Sequence, residues 1–146
     1  MVRQLALAGA VESEDYRMVE CMIRKNKTLV SIPEDTVQRR IPVIAAANLG
    51  NNEVTCYLYS RTPLQDFEKG DQGAALLRDA IYAENFDIAL DLIERFPSLA
   101  HTRRGYSYPL YTLAYAKDIP VRKSAGVLEA MDLQVLYPHS IGTSCY

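Results

Sequence analysis

The sequence predicts an all-α chain built of short helix-turn-helix units laid side by side, and three observations carry that prediction. Apolar residues recur every three to four positions in short runs. Each run is broken by Gly, Asn or a cluster of acidic side chains, and then resumes. The run-break-run pattern restarts at a nearly constant interval: aligned on one apolar residue, the restarts are Leu7, Val43, Leu77 and Leu110, at spacings of 36 (7 to 43), 34 (43 to 77) and 33 (77 to 110). Helices shorter than about 12–15 residues are marginal alone in water. Units of this size must therefore cover one another's apolar faces.

Taken in order, residues 5–10 form a small apolar segment closed by Glu12-Ser13-Glu14-Asp15. Met18, Val19, Met22 and Ile23 then mark one face of a second helix, with Ser13 or Asp15 as its N-cap. Arg24, Lys25 and Lys27 lie near its C-terminal end, where cations complement the helix dipole. Residues 28–38 carry Pro33 and read as a linker.

The next unit, residues 41–59, opens on Pro42, runs through Ala45-Ala46-Ala47, breaks at Gly50-Asn51 and resumes at Val54, Leu58 and Tyr59. The alanines suit close approach between neighbouring units. Residues 61–73 are rich in Thr, Pro, Asp and Gly and read as a loop. From Ala74 the pattern restarts, breaks at Glu84-Asn85, and continues through Ile88, Ala89, Leu92 and Ile93 until residues 96–100 end the helix. A polar linker over residues 101–105 leads to Pro109-Leu110-Tyr111-Thr112-Leu113-Ala114. The approximate units are residues 1–36, 37–70, 71–103 and a partial one at 104–116, about three and a half in all. Residues 117–146 form an irregular tail. Within it, residues 126–137 read as a helix capping the last unit or, through Asp132-Leu133-Gln134-Val135, as an extended piece, and residues 139–146 are expected to be disordered.

Composition narrows the function classes. A hydrophobic fraction of 49% and a charged fraction of 23% are ordinary for a globular chain. The formal net charge of −2 argues against a nucleic-acid binder, and the basic pairs Arg24-Lys25, Arg39-Arg40, Arg103-Arg104 and Arg122-Lys123 are scattered. No apolar run approaches the ~18 residues needed to span a bilayer. Cys21, Cys56 and Cys145 lack metal-ligand spacing and are expected as buried free thiols, which suits a reducing, cytoplasmic setting. Asn26-Lys27-Thr28 has the form of a glycosylation sequon, and with no secretory signal at Met1-Val2-Arg3-Gln4 it is read as chance.

Catalytic chemistry finds little support. His101 and His139 both fall in loops. Asp87, Asp91 and Glu94 share a helix face, which paired acid-base work would need. They read more simply as the wet side opposite Ile88, Leu92 and Ile93. Gly70-Asp71-Gln72-Gly73 lacks the Lys-Ser/Thr of a phosphate loop and reads as a turn into the next unit. The expectation is a non-enzyme with no cofactor and no metal.

A period of about 33 residues is the signature of ankyrin repeats. Residues 41–46 (Ile-Pro-Val-Ile-Ala-Ala) and 107–114 resemble the Thr-Pro-Leu-His-x-Ala opening of that family, and Gly50-Asn51 stands where the family has Gly-His, although no unit keeps the motif's histidine. More narrowly, residues 57–64 (Tyr-Leu-Tyr-Ser-Arg-Thr-Pro-Leu) and 87–100 are similar to plant ankyrin-repeat proteins of the accelerated-cell-death type, whose longer members carry a C-terminal membrane-spanning PGG domain that this chain lacks. The resemblance covers roughly residues 5–116. It implies a short ankyrin solenoid acting as an interaction module, often in stress or defence signalling, with any membrane association supplied by a partner.

In that family the concave groove is lined by loop tips and by the first helix of each unit. The matching loop tips here are Arg39, Arg40, Asp71, Gln72, Arg103, Arg104 and Tyr106. The exposed side of the first helices is expected to present Asn48, Asp79, Tyr82 and Tyr115. With 10 Tyr, 3 Phe and no Trp, tyrosine is the natural anchor for a partner protein, while Tyr57 and Tyr59 are expected to pack between units. The alternative is a structural fragment that stacks on further repeats or on itself through an uncovered end.

Overall fold

Three reversals of the same geometry organise the chain. The computed structural model describes residues 2–34, 37–68 and 71–102 and positions 109, 112 and 126. Helix α1 (Val2–Glu12) doubles back into α2 (Tyr16–Lys25), α3 (Pro42–Asn48) into α4 (Asn52–Arg61), and α6 (Gln72–Tyr82) into α7 (Phe86–Arg95), with the short α5 (Gln65–Glu68) between the second and third pairs. Single 3₁₀ turns follow α2 at Lys27–Ser31 and α7 at Pro97–His101. The described residues are all helical or irregular, with no strand.

Each reversal ends one helix and starts the next, and in the first two a side chain caps the second helix. The amides of Asp15, Asn51 and Asn85 donate to the carbonyls of Ala10, Ala46 and Ala80, while those of Glu14, Gly50 and Glu84 donate to Val11, Ala47 and Ile81. This is the Schellman arrangement, which satisfies carbonyls that a helix end leaves orphaned. It requires one residue in the left-handed region, and Glu14 (φ 57°), Gly50 (φ 78°) and Glu84 (φ 56°) supply it. The following residue starts the second helix. The Asp15 and Asn51 side chains accept from the amides of Met18 and Val54, so Asp15, rather than Ser13, is the first N-cap. The Ser13 hydroxyl instead donates back to the Gly9 carbonyl.

From Asp15 to Asn51 and from Asn51 to Asn85, the reversals recur at the first two intervals read from the apolar pattern. Leu7, Val43 and Leu77 are all buried at equivalent places. Helix α3 packs between α1 and α6, so the first helices make one layer, while α2 packs on α4 in a second. Small side chains at Ala10, Ala46 and Ala80 allow that spacing, and all three are buried. Proline at the first position of α3 costs no hydrogen bond, because that amide has no intrahelical partner.

The connections hold more structure than their composition suggests. The 3₁₀ turns bury Leu29 and Val30 after the first pair and Leu99 and Ala100 after the third. In the second pair the equivalent positions are Gln65 and Asp66, and α5 instead inserts Phe67, which is fully buried and stacked on Tyr59 with ring centroids 5.4 Å apart. Helix α6 begins at Gln72 rather than Ala74. Gly73 therefore lies inside it, where a Cβ would run into the Phe67 carbonyl oxygen and sit 2.9 and 3.0 Å from the Leu99 methyls. Of the fourth unit, Pro109 and Thr112 are helical and buried; in the tail, Gly126 is helical, and a Cβ there would lie 3.9 Å from Leu90. The other readings for residues 103–146, including the cap or extended piece and the disordered end, lie outside the described residues.

Two outcomes test this packing by urea unfolding. Glu14→Gly and Glu84→Gly should each stabilise by about 0.5–1 kcal/mol, and Gly50→Ala should cost about 1 kcal/mol, because only the backbone conformation is at stake. No atom lies within 4 Å of a Cβ at Gly50, so crowding cannot confuse that result. Ala46→Leu should cost about 1–3 kcal/mol through overpacking of the first-helix layer. A neutral Ala46→Leu would mean that the layer is loosely packed.

Candidate functional site

The first-helix layer carries two groups of polar side chains at or near its surface, one at each end of its helices. At the C-terminal end, the close of α3 and the close of α6 border an open depression of about 300 Å³. Asn48 and Leu49 line one side; Asp79, Tyr82 and Ala83 line the other. Tyr82 is 63% exposed and Leu49 47% exposed. Both are therefore large side chains presented to solvent beside a concave floor. Across the junction, the Asn52 side-chain Nδ2 donates to the Ala83 carbonyl at 3.2 Å, which ties the two hairpins together at this point.

Asp79 corrects a sequence expectation. It lines the depression but is only 2% exposed, rather than standing on the wet side of its helix. Ala75 and Leu76, one turn earlier on α6, are fully buried, and position 79 falls on the same stripe. The carboxylate lies 2.6 Å from the Arg78 guanidinium, which compensates the charge at this buried position.

At the N-terminal end, the loop tips adjoin. The Gln72 side-chain amide donates to the Arg39 carbonyl at 2.5 Å, so the tip before α3 is pinned to the start of α6. The Glu34 amide donates to the Arg40 carbonyl at 2.8 Å, closing that loop on itself. Arg39 and Asp71 are exposed; Arg40 and Gln72 are half-buried. The expected site residues therefore form two clusters, Arg39, Arg40, Asp71 and Gln72 at one end and Asn48, Asp79 and Tyr82 at the other, separated by the ~10 Å length of α3. Arg103, Arg104, Tyr106 and Tyr115 lie outside the described residues. Leu49 was not singled out in the sequence. Its signal was an apolar residue directly before the Gly50 break, where no helix face remains to bury it.

The second helices connect the units through one aromatic and one polar contact. Tyr57 meets Tyr16 of the preceding pair edge to face at 5.4 Å, and the Tyr59 hydroxyl donates to Asp91 of the following pair at 2.6 Å. Both tyrosines thus pack between units. Arg95 donates through Nε to both Asp91 oxygens at 2.8 Å. Burial, then the hydrogen bond to Asp91, pushes the Tyr59 hydroxyl well above its ordinary range. For Asp91, burial pushes upward, but the hydrogen bonds from Tyr59 and Arg95 outweigh it and hold the carboxyl below the usual range. Asp87 and Glu94 are exposed on the wet side of α7.

The cysteines depart from expectation. Cys21 and Cys56 are exposed free thiols. Val19 and Ile23 turn inward on α2, as Val54 and Leu58 do on α4, and a residue midway between such a pair points the other way. Cys145 lies outside the described residues, as does His139, while His101 is exposed. Among the described residues, no group of three or more His, Cys, Asp or Glu is placed to hold a metal ion, and no helix is long and apolar enough to cross a membrane. Comparison with protein-family models, with curated proteins and with solved structures finds no match.

The Tyr59–Asp91–Arg95 contact has a defined pH signature. A carboxyl with a depressed folded-state pKa contributes stability above about pH 4, and that contribution is lost as pH falls through the folded value. Asp91→Asn should therefore lower stability near neutral pH, by about 1 kcal/mol or less because the group is partly solvated, and the gap to the parent should narrow steadily as pH falls below about 4. Urea midpoints measured across that range check it. A gap independent of pH would show that the charge of Asp91 contributes nothing.

Proposed function

We propose that the chain is a short repeat scaffold of the ankyrin type that binds a partner protein and performs no catalysis. Support for the scaffold reading comes from three hairpins closed by one hydrogen-bond pattern at nearly equal intervals along the chain, together with the family-like openings in the sequence. The observation that carries the binding reading is the depression between α3 and α6, where Tyr82 and Leu49 stand exposed beside Asn48 and Asp79. Binding energy at such surfaces concentrates in a few aromatic and apolar anchors. Tyrosine suits the role, with an apolar ring and a polar tip. The resemblance to plant ankyrin proteins favours stress or defence signalling in the cytoplasm as the setting, with membrane contact made only through a partner.

A second reading is favoured by one specific observation. Val2 and Leu5 on α1 are 81% and 67% exposed, and Ala6 and Gly9 continue the same face. The equivalents of Leu5 in the next two hairpins, Ile41 and Ala75, are buried. The outer face of α1 therefore has the character of a surface that elsewhere in the chain is covered, which suits stacking on further repeats or on a second copy. Light scattering on the eluting peak in size-exclusion chromatography separates the two readings. A concentration-independent monomer favours the binding module; assembly that is lost in Leu5→Lys favours stacking.

For the first reading, cross-linked capture from a native extract should be carried out with the parent chain, with Tyr82→Ala/Leu49→Ser and with Arg39→Ala/Arg40→Ala. Partners held by the parent should be lost in the first variant, each anchor contributing about 1–2 kcal/mol, with helical circular dichroism unchanged. Arg39→Ala/Arg40→Ala reports whether the loop tips at the other end of the layer take part. Undiminished capture by both variants would exclude this layer as the binding surface.

A further inference from the structure

The outer layer carries a second surface of different chemistry. Lys25, Arg61 and Arg95 occupy the same place in successive hairpins, the last turn of the second helix, and recur at the same intervals as the reversals. A cation there is favoured by the helix dipole, so its presence needs no ligand. Its pairing is what differs. Arg95 is neutralised by Asp91 one turn earlier, whereas the positions equivalent to Asp91 are Tyr57 and Cys21, which bring no carboxylate.

The first two hairpins therefore concentrate positive charge. Arg24, Lys27 and Arg61 line, with Tyr57 and Ile23, a cleft of about 230 Å³ between the end of α2, the 3₁₀ turn that follows it and the end of α4. Arg24 is shared with an adjoining depression that also holds Lys25. All four cations are exposed, and among the described residues none of them makes an ion pair. The Arg61 guanidinium lies over the Tyr57 ring, 5.5 Å from its centroid, so the ring positions one of the charges. Clustered like charges repel, and Glu20, though four residues from Arg24 on the same helix, does not pair with it.

We propose that this cleft is a docking site for an acidic peptide segment of a partner protein. Charge complementarity argues for the anion, and the spread of exposed cations over two adjoining depressions argues for a peptide. Small-molecule sites bury most of their ligand, whereas the cations that line this cleft are all exposed. A long polyanion is disfavoured, because among the described residues of the third hairpin the same level of the outer layer offers no free cation, Arg95 being neutralised by Asp91 and Glu94 standing exposed beside them, and the net charge of the chain is −2. A short acidic stretch fits between those limits, reaching Arg24, Lys25, Lys27 and Arg61 at once.

The test uses the full chain and fluorescence anisotropy with a labelled poly-glutamate peptide, a labelled single-stranded oligonucleotide, and co-sedimentation with phosphatidylserine vesicles. The poly-glutamate peptide should bind, weaken as salt rises, and lose about tenfold in affinity in Arg24→Gln/Lys27→Gln/Arg61→Gln, while Arg3→Gln on α1 leaves it unchanged. All substituted side chains are exposed, so circular dichroism should show an intact fold. The proposal is overturned if the peptide does not bind or if the triple variant binds as the parent does. It is equally overturned if the oligonucleotide or the vesicles bind more tightly through the same three residues.

Discussion

Everything else in the structure depends on a backbone reversal that closes one helix and starts the next within a few residues. The carbonyl of a buried alanine accepts from the N-cap of the second helix, and the residue just before that N-cap adopts a left-handed conformation. Because the reversal is so short, the two helices of a pair leave it at a fixed angle, and pairs with the same reversal can be laid in register. The register then places Leu7, Val43 and Leu77 in one interior row and the alanines in another. Two of the three reversals achieve this with glutamate at positive φ, where glycine would be relaxed. The fold therefore tolerates backbone strain to keep the geometry uniform.

The periodic skeleton was legible in the sequence because it rests on apolar spacing and on breaks, and both are local signals. The helix pairs and their interval were readable for that reason, as was the packing of Tyr57 and Tyr59 between units. Glu84-Asn85 showed as the break standing where Gly50-Asn51 stands, but the left-handed backbone at Glu84 did not, since glutamate does not advertise it. The short helical turns at residues 27–31 and 65–68 were hidden for a different reason. Each is a single turn that exists to bury one or two side chains, such as Phe67, and too few residues are involved to establish a period. Gly73 read as a turn residue, whereas its meaning is the nearness of Phe67 and Leu99, which no local pattern encodes.

At the candidate site, the sequence identified Tyr82 and Asn48 as exposed but misplaced Asp79, because a charged residue on an amphipathic helix is ordinarily assigned to the wet face. Its pairing with the adjacent Arg78 overrides that rule. The contrast between paired Arg95 and the unpaired Lys25 and Arg61 is a tertiary fact of the same kind. It becomes visible only once the register shows that the three residues occupy one structural position. The two faces of the array then have distinct characters: an aromatic and apolar margin on the first-helix layer, and a positively charged cleft on the second, confined to the first two hairpins.

One reversal, repeated in register, builds the array. Native-state hydrogen exchange followed by NMR tests that claim most directly at the amides of Asp15, Asn51 and Asn85, each of which donates to the alanine carbonyl of its own reversal. All three amides should be strongly protected, and Asn85 should be held as firmly as Asn51 even though glutamate rather than glycine precedes it. Exchange of the Asn85 amide at the rate of an unstructured chain, with Asn51 protected, would contradict it.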